Sequence, residues 1–286
     1  MSFRRPMAFA GSWYPRTAAE CEALLGAFAA EVPREPPASA EARAARYGIV
    51  PHAGWVFSGR LAAQVFERLA ADPELVVVLG GHLGRRDPIV AMVRGTWQTP
   101  FGEFEIYEGF AEALRALPQV RLEDEARHAA DNSVELQLPL ARRRFPRARL
   151  LPMRVPPSEL ALDLGRVLGE HLRRSGLRWV LVASTDLTHY GPNYDFEPAG
   201  RGPEALDWML RNDQTFIDAV QSGSARQVLD SANARHNACS AGAVAALCAC
   251  AAGEWGRFEL LEHTTSAESP PHSTVNMVGY MGAVIA

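Results

Sequence analysis

The sequence lacks a long hydrophobic run, an excess of basic residues and an N-terminal apolar segment, and each absence narrows the class of protein. No apolar stretch reaches the roughly 18 residues that a membrane-spanning helix needs, so we expect no membrane association. The formal net charge is −4, from 29 basic and 33 acidic residues. A nucleic-acid-binding protein normally carries a basic excess or a basic stripe, and we therefore expect no nucleic-acid partner.

Paired cysteines are also absent. The chain has four cysteines and none of them forms a CxxC pair or an evenly spaced framework; they are Cys21, Cys239, Cys248 and Cys250. Structural disulfides are typical of oxidising compartments, and the first residues include no apolar segment of signal-peptide length. These features predict a cytoplasmic protein with reduced thiols.

What the sequence does have is an alternation of apolar stretches with helical patterns. The predicted strands are 47–50, 74–80, two within 88–107, 148–155, 178–185, 258–266 and 275–286. The predicted helices are 15–32, 58–72 with Ser58 as N-cap, 132–145, 157–176 and a helical region over 203–252, while 33–46 reads as an exposed connection. This alternation predicts an α/β fold with a mostly parallel or mixed central sheet flanked by helices. Because no strong linker interrupts it, we expect one domain over 1–286.

Three histidines each follow a predicted strand. His52 comes after the strand that ends at Val50, His82 follows 74–80, and His189 follows 178–185. In open α/β sheets, ligands bind in the crevice at the carboxyl ends of the strands. We therefore expect the three imidazoles to converge on one crevice, although any one of them alone would be read as structural.

Histidines in this setting point to a transition metal, because imidazole suits iron, copper, zinc and nickel. Two histidines and one anionic ligand form the facial arrangement of non-haem iron oxygenases. The anionic ligand stays open between Asp186, Glu135 and Cys239. Cys239 precedes a predicted helix, whose N-terminus favours the metal-binding thiolate. Cys248 and Cys250 lie within an alanine-rich apolar helix, which predicts buried, inert thiols.

Seven stretches resemble the MEMO family, whose bacterial and archaeal members are known as AmmeMemoRadiSam system protein B. In chain order they are AGSWYP (10–15), PHAGWVFSG (51–59), LGGHLG (79–84), TPFGEFEI (99–106), DNSVELQLP (131–139), STDLTHYG (184–191) and NACSAGAV (237–244). The resemblance covers nearly the whole chain. AGSWYP followed by PHAGWVFSG is its most specific part.

The resemblance implies a single α/β domain similar to the class III extradiol (LigB-type) dioxygenases, which bind Fe(II) through two histidines and a carboxylate. In MEMO-like proteins the metal site uses two histidines and a cysteine, and these match His52, His82 and Cys239. The acid/base histidine of the dioxygenases matches His189, with Asp186 beside it. The implied cofactor is Fe(II), with copper or zinc as the alternatives.

The sequence departs from the family pattern at two of these motifs. The loop before His82 reads GGH and is one residue shorter than the usual GPNH or GPSH, and Asn132 replaces the histidine of the usual EHSIE. A thiolate in place of a carboxylate is also softer and oxidisable, so it favours copper as well as iron.

Three functions fit these residues. The first is a metal-dependent redox enzyme for a small, flat substrate in the strand-end crevice, with aromatic side chains as pocket candidates (Trp13, Tyr14, Trp55 and Phe57). The second is a protein that holds iron or copper without turnover. The third is a non-catalytic module whose crevice binds a peptide or a partner protein. The resemblance implies a radical-SAM protein and an AMMECR-type protein as partners. Enzyme and carrier would use the same residues, so the sequence leaves catalysis open.

Overall fold

The computed structural model describes residues 3–31, 44–269 and 272–286. In chain order its strands are β1 (Arg4–Arg5), β2 (Tyr47–Val50), β3 (Leu75–Gly80), β4 (Ile89–Ala91), β5 (Thr96–Thr99), β6 (Gly102–Glu105), β7 (Val120–Leu122), β8 (Arg149–Arg154), β9 (Trp179–Ser184), β10 (His189–Tyr190), β11 (Phe258–Thr265) and β12 (Met277–Ile285). Its α-helices are α1 (Ala18–Glu31), α2 (Trp55–Arg68), α3 (Ala111–Arg115), α4 (Asn132–Glu135), α5 (Leu138–Arg144), α6 (Glu159–Arg174), α7 (Pro203–Gln221), α8 (Ala225–Arg235) and α9 (Ala241–Cys250).

The central sheet is mixed and has a parallel middle. Strands β2, β9, β3 and β8 lie side by side in that order, and each neighbouring pair is parallel. Outside them, β12 pairs antiparallel with β2, and β4 pairs antiparallel with β8. The predicted fold, a single α/β domain with a mostly parallel or mixed sheet flanked by helices, is confirmed. The boundaries 1–286 stay a prediction.

Helices cover both faces of the sheet, and the reason is visible in β3. All six residues of its sequence LVVVLG are buried, which is typical of a strand covered on both sides. Successive side chains of a strand point to opposite faces. Accordingly, Val77 packs into the core that contains residues of α6 and α9. Val76 and Val78 pack into the core that contains residues of α2 and α5.

The predicted start of the second helix was wrong. Helix α2 begins at Trp55, and its N-cap is Gly54, which makes no side-chain cap hydrogen bond. The N–H of Trp55 donates instead to the carbonyl of Trp13 at 2.8 Å. A contact from the N-terminal segment thus satisfies a helix-end donor, and Ser58 lies buried inside the helix, where its hydroxyl donates to the carbonyl of Ala53.

Three other segments are more divided than the sequence predicts. Residues 88–107 form three strands, because β4 joins the central sheet while β5 and β6 form a hairpin beside β1. Residues 132–145 form α4 and α5, with a proline in the first turn of α5, and the helical region 203–252 is the three helices α7, α8 and α9. Most of the predicted connection 33–46 lies outside the described residues. Within the described ranges, no helix is long and apolar enough to cross a membrane.

The close approach of α6 and α9 supports a stability prediction. A Cβ at Gly165 would lie 2.4 Å from the carbonyl oxygen of Ala246 and 2.6 Å from the Cβ of Ala249. Backbone atoms of a packed helix cannot yield cheaply, so Gly165→Ala should lower the free energy of unfolding by about 1–3 kcal/mol. Gly26→Ala in α1 is the matched control, because nothing lies within 4 Å of its Cβ position. The control should be neutral or up to about 1 kcal/mol stabilising. Urea denaturation of both variants checks this, and equal effects would contradict it.

Candidate metal centre

The candidate site lies where three adjacent parallel strands end. His52, His82 and Asp186 are each the second residue after a strand, namely β2, β3 and β9. Strand β9 lies between the other two, and Ser184 at its end is in register with Val50. Parallel pairing therefore brings three side chains from distant parts of the sequence to one edge of the sheet.

Two of these side chains meet Cys239. The Nε2 atom of His52 lies 3.1 Å from Nε2 of His82 and 3.1 Å from Sγ of Cys239. The three donor atoms all lie within 4.8 Å of one another. His52 is buried, Cys239 is partly buried and His82 is exposed, so the cluster is open to solvent on the His82 side.

The spacing of the donors suits one metal ion. Metal–nitrogen bonds are about 2.0–2.1 Å and metal–thiolate bonds about 2.3 Å, so donors at angles of 90–110° around one ion lie roughly 2.9–3.6 Å apart. Both distances from His52 Nε2 fall in that range. Two imidazole nitrogens and a thiolate are also a donor set for transition metals. The cluster can therefore hold a metal ion.

Hydrogen bonds join Cys239 and its neighbour Ser240 to the residues that follow two of the strands. Its N–H donates to the carbonyl of Asp186 at 3.2 Å, and the N–H of Asp186 donates to Cys239 Sγ at 3.3 Å. The next residue, Ser240, donates its hydroxyl to the carbonyl of Gly81 at 3.1 Å. Cys239 lies just before α9, as the sequence predicts, and these bonds fix its sulfur at the sheet edge.

The thiol of Cys239 differs electrostatically from the other thiols. Burial acts to raise its pKa, but the charge of the neighbouring His52 and hydrogen bonds to both histidines outweigh burial and hold the pKa well below its ordinary value. Burial raises the pKa of Cys248 to about 12. Cys248 and Cys250 are both buried in α9, which confirms their prediction as buried thiols. A thiolate is the form that binds metal.

A contact at Nδ1 orients the imidazole of His52. Its Nδ1 lies 3.0 Å from the hydroxyl oxygen of Ser184. The side-chain amide of Gln137 donates to that same oxygen and to the carbonyl of Pro51, and the amide of Asn132 donates to the carbonyl of His52. These contacts leave Nε2 facing the cluster, an arrangement typical of metal-binding histidines.

His82 is oriented by Asp131. The ring atom Nδ1 of His82 lies 3.7 Å from Asp131 Oδ2, and the backbone N–H of His82 donates to the same oxygen. Burial favours neutral His82, but Asp131 and Cys239 outweigh it and raise the pKa of His82 to about 10. Gly81 helps to place this loop, since its φ is +116° and a Cβ would lie 2.7 Å from the Cβ of Arg154. The shortened GGH loop thus still brings His82 to the cluster.

Asp131 is the first of a series of buried charged side chains that pair with one another. Arg154 Nη1 lies 3.8 Å from Asp131, and Arg154 Nη2 donates to Glu123 at 2.5 Å. Glu123 also forms an ion pair with Arg5 of β1. All four side chains are buried, and buried charges persist when each is paired. Strand β1 is thereby connected, through alternating charges, to the residue that orients His82.

Asp186 and His189 form a second group with Cys239. Nε2 of His189 lies 4.0 Å from Asp186 Oδ2, too far for a direct hydrogen bond, and it is buried without a hydrogen-bond partner in the described part of the chain. The His189 ring lies against Tyr194, with centroids 4.9 Å apart. Burial lowers the pKa of His189, but Asp186 and the Cys239 charge raise it above its ordinary value overall.

Asp186 itself is held ionised. Burial favours its neutral form, but His52 and His189 outweigh burial and lower its pKa. Its Oδ1 accepts the N–H of His52 at 2.7 Å, and its Oδ2 lies 3.9 Å from His52 Nε2. Asp186 therefore borders the donor cluster and bridges it to His189.

Glu135, the other carboxylate candidate for the third ligand, is not in the cluster. It accepts hydrogen bonds from the N–H of Phe9 at 2.8 Å and the hydroxyl of Tyr14 at 3.0 Å. It thus fastens the N-terminal segment to α4. Tyr14 and Trp55, two of the pocket candidates, are likewise buried in the core, whereas Trp13 and Phe57 are each 41% exposed.

The sequence reasoning missed Asp131, Ser184 and Gln137. A signal for Asp131 was present, because an aspartate before a helical pattern is a typical N-cap. Its carboxylate does accept the N–H of Ser133 at 3.0 Å. Nothing in the sequence indicated that the same carboxylate also faces His82, since that contact joins the start of α4 to the loop after β3, 49 residues away in the chain.

Comparison with known proteins agrees with this architecture. The family model "Memo-like protein" matches residues 5–284. A MEMO1 family protein of Thermococcus onnurineus is 33% identical over 293 residues, which covers 97% of this chain and 97% of that protein. A MEMO1 family protein of Aquifex aeolicus is 36% identical over 231 residues, covering 77% of this chain and 80% of that protein. Among solved structures, an uncharacterized protein from Escherichia coli K12 matches with a TM-score of 0.55 at 14% identity, over 82% of this chain and 98% of that one. This last likeness concerns the fold alone.

The lowered pKa of Cys239 predicts selective alkylation in metal-free protein. An ordinary thiol, with a pKa of about 8.5, is mostly protonated at pH 7, whereas Cys239 should still be thiolate because its pKa is depressed. Iodoacetamide at pH 6.5–7 should therefore modify Cys239 and spare Cys21, Cys248 and Cys250, whose pKa values burial raises to about 11, 12 and 12. Peptide mass spectrometry over a pH series measures this. If the alkylation rate of Cys239 rose about tenfold per pH unit between pH 7 and 8, this thiol would still be protonated at pH 7 and the prediction would be wrong.

Proposed function

The chain belongs to the Memo-like protein family, and on that premise we propose that it is a non-haem metal redox enzyme related to the class III extradiol dioxygenases. The proposed ligands are His52, His82 and Cys239, and the proposed metal is Fe(II), with copper or zinc as alternatives. The observation that carries the proposal is the convergence of these three donor atoms within 4.8 Å at the sheet edge.

The donor set supports a soft or borderline metal. Thiolate and imidazole favour Fe(II), Cu(I) or Zn(II), whereas Mg²⁺ and Ca²⁺ prefer oxygen ligands. The two Nε2 atoms face the cluster, and each Nδ1 faces a partner of its own, Ser184 for His52 and Asp131 for His82. A bound Fe(II) would supply Lewis acidity and one-electron redox chemistry.

We assign proton handling to His189 and Asp186. An imidazole can both accept and donate a proton. Nε2 of His189 is buried, lacks a hydrogen-bond partner among the described residues and borders the donor cluster. Asp186, held ionised, stabilises the protonated form of His189, and its Oδ1 keeps the backbone of His52 in place.

Aromatic side chains support a small, flat substrate. Tyr194 is 40% exposed and lies against His189. The carbonyl of Trp13 and the ring of Phe57 both lie close to Gly54, two residues after His52. Rings that border a site favour stacking with an aromatic ligand. On this reading Tyr194, Trp13 and Phe57 contact the substrate, while His189 acts on its hydroxyl proton.

The alternative function is metal binding without turnover, or a module that binds a peptide or partner protein. Cys239 favours this alternative, because a thiolate ligand is oxidised by peroxide and similar species and would be at risk during O₂ chemistry. We propose a radical-SAM protein and an AMMECR-type protein as partners in either case. A cytoplasmic location fits the free thiols of the described residues, since a reducing compartment keeps them reduced.

Metal titration tests the ligand set. Apo wild type, Cys239→Ser and Cys248→Ser are titrated anaerobically with Fe(II) and Cu(I). Cys239→Ser should weaken binding by more than about 100-fold, because loss of a ligand costs more than loss of a residue that orients one. Cys248→Ser is the matched control and should bind like wild type. Equal affinities for all three proteins would remove Cys239 from the site.

Turnover separates the enzyme from the carrier. Metal-loaded wild type, His189→Ala and the surface control His128→Ala are assayed on a panel of catechols under O₂. His189→Ala should keep the wild-type metal affinity and lose about 10²–10⁴-fold in rate, because it removes a proton-transfer group. Loss of the metal in this variant would refute the role of His189. A loaded wild type without turnover would favour the carrier.

A further inference from the structure

A cavity of about 460 Å³ has walls that share no residue with the donor cluster. Its walls come from three elements: the loop after β3 contributes Arg85 and Arg86, the start of α6 contributes Ser158 and Glu159, and α8 contributes Arg226. Its volume lies within the range of small-molecule sites, roughly 300–1,000 Å³.

Two of its arginines have free guanidinium groups. Arg85 and Arg86 are exposed, and neither forms an ion pair or side-chain hydrogen bond with any residue in 3–31, 44–269 or 272–286. The neighbouring carboxylate of Asp87 accepts the N–H of Gly84 instead. Guanidinium groups bind carboxylate and phosphate oxygens through two parallel hydrogen bonds. These two arginines are therefore available to an anionic ligand.

The third arginine has a structural partner. Arg226 pairs with Glu159 through two hydrogen bonds, of which Nη2–Oε2 measures 2.7 Å. The pair joins α8 to the start of α6 and cancels its own charge. Asp230 is the remaining acidic side chain of the wall. Two free arginines against one carboxylate leave the cavity with net positive charge.

The start of α6 adds neutral donors. Ser158 is the N-cap of this 16-residue helix but makes no cap hydrogen bond. Its hydroxyl oxygen is buried and has no partner within the described ranges. The first N–H groups of a helix lack intrahelical acceptors, and the helix dipole favours negative charge there. Donors at the start of α6 thus line the same cavity as Arg85 and Arg86.

We propose that this cavity is an anion-binding site that takes the phosphate group of a small-molecule phosphomonoester. Arg85 and Arg86 would neutralise the phosphate, and Ser158 with the first turn of α6 would donate to its remaining oxygens. A dianion suits two guanidinium groups and a helix N-terminus better than a single carboxylate does. The site does not depend on the metal cluster or on the function proposed for it.

Calorimetric titration with inorganic phosphate tests the site in metal-free, desalted protein at constant ionic strength. Wild type should bind with saturation. The variant Arg85→Ala/Arg86→Ala should bind roughly 10-fold or more weakly, because charge-assisted hydrogen bonds are lost. Ser158→Ala should weaken binding less. Arg115→Ala removes an exposed arginine of α3 and should bind like wild type.

Two results would overturn the proposal. One is wild-type protein that shows no saturable binding, or binding that the double variant retains in full. The other is loss of phosphate binding in Cys239→Ser, which would place the anion at the metal cluster. Unchanged phosphate affinity in Cys239→Ser is expected and keeps this test separate from the metal titration. Thermal unfolding with and without phosphate confirms that each variant is folded.

Discussion

The parallel pairing of β2, β9 and β3 is the constraint on which the site depends. Backbone hydrogen bonds fix Val50 opposite Ser184 and Leu79 opposite Ala183. Parallel strands have their carboxyl ends at one edge, so the residues that follow them must meet there. His52, Asp186 and His82 are close neighbours for this reason. Cys239 is then joined to that edge by hydrogen bonds to Asp186 and through Ser240 to Gly81.

Electrostatic compensation is the second requirement of the site. Three imidazoles, a thiol and two carboxylates lie close together at the sheet edge, and ionising any one of them without an opposite charge nearby would be unfavourable. The structure alternates their signs instead. Asp186 lies between His52 and His189, Asp131 faces His82, and the thiolate of Cys239 lies beside both cluster histidines. The ionised forms support one another, which is why the pKa values of the acids fall and those of the bases rise.

The sequence predicted the parts that depend on local pattern. Apolar runs bounded by glycine and histidine predicted buried strands such as β3. The same runs predicted that histidines follow the strand ends. It could not predict contacts that join distant segments. The start of α2 is set by Trp13, which supplies a carbonyl to Trp55. Glu135 was a reasonable ligand candidate by residue type, yet Tyr14 and Phe9 hold it elsewhere.

For the same reason, the sequence could not predict the residues that orient the histidines. Ser184 lies at the end of β9 and Asp131 is the N-cap of α4, and only the tertiary fold places them beside His52 and His82. The family resemblance indicated His52, His82 and Cys239 as a set. Spacing alone had left the third ligand open between Cys239 and two carboxylates. The cavity beside Arg85 gave no sequence signal, because it forms between a loop and two helices.

The separation of the cluster residues along the chain links the site to folding. His52 and His82 are 30 residues apart, and Cys239 lies 187 residues from His52. Contacts of such long range form only when most of the sheet and α9 are in place. An unfolded chain does not hold these three donors in this arrangement, so an ion bound by all three binds the native state more tightly and stabilises it by mass action. A bound ion would therefore raise the free energy of unfolding of the whole domain, and the stability of the protein would depend on the concentration of free metal.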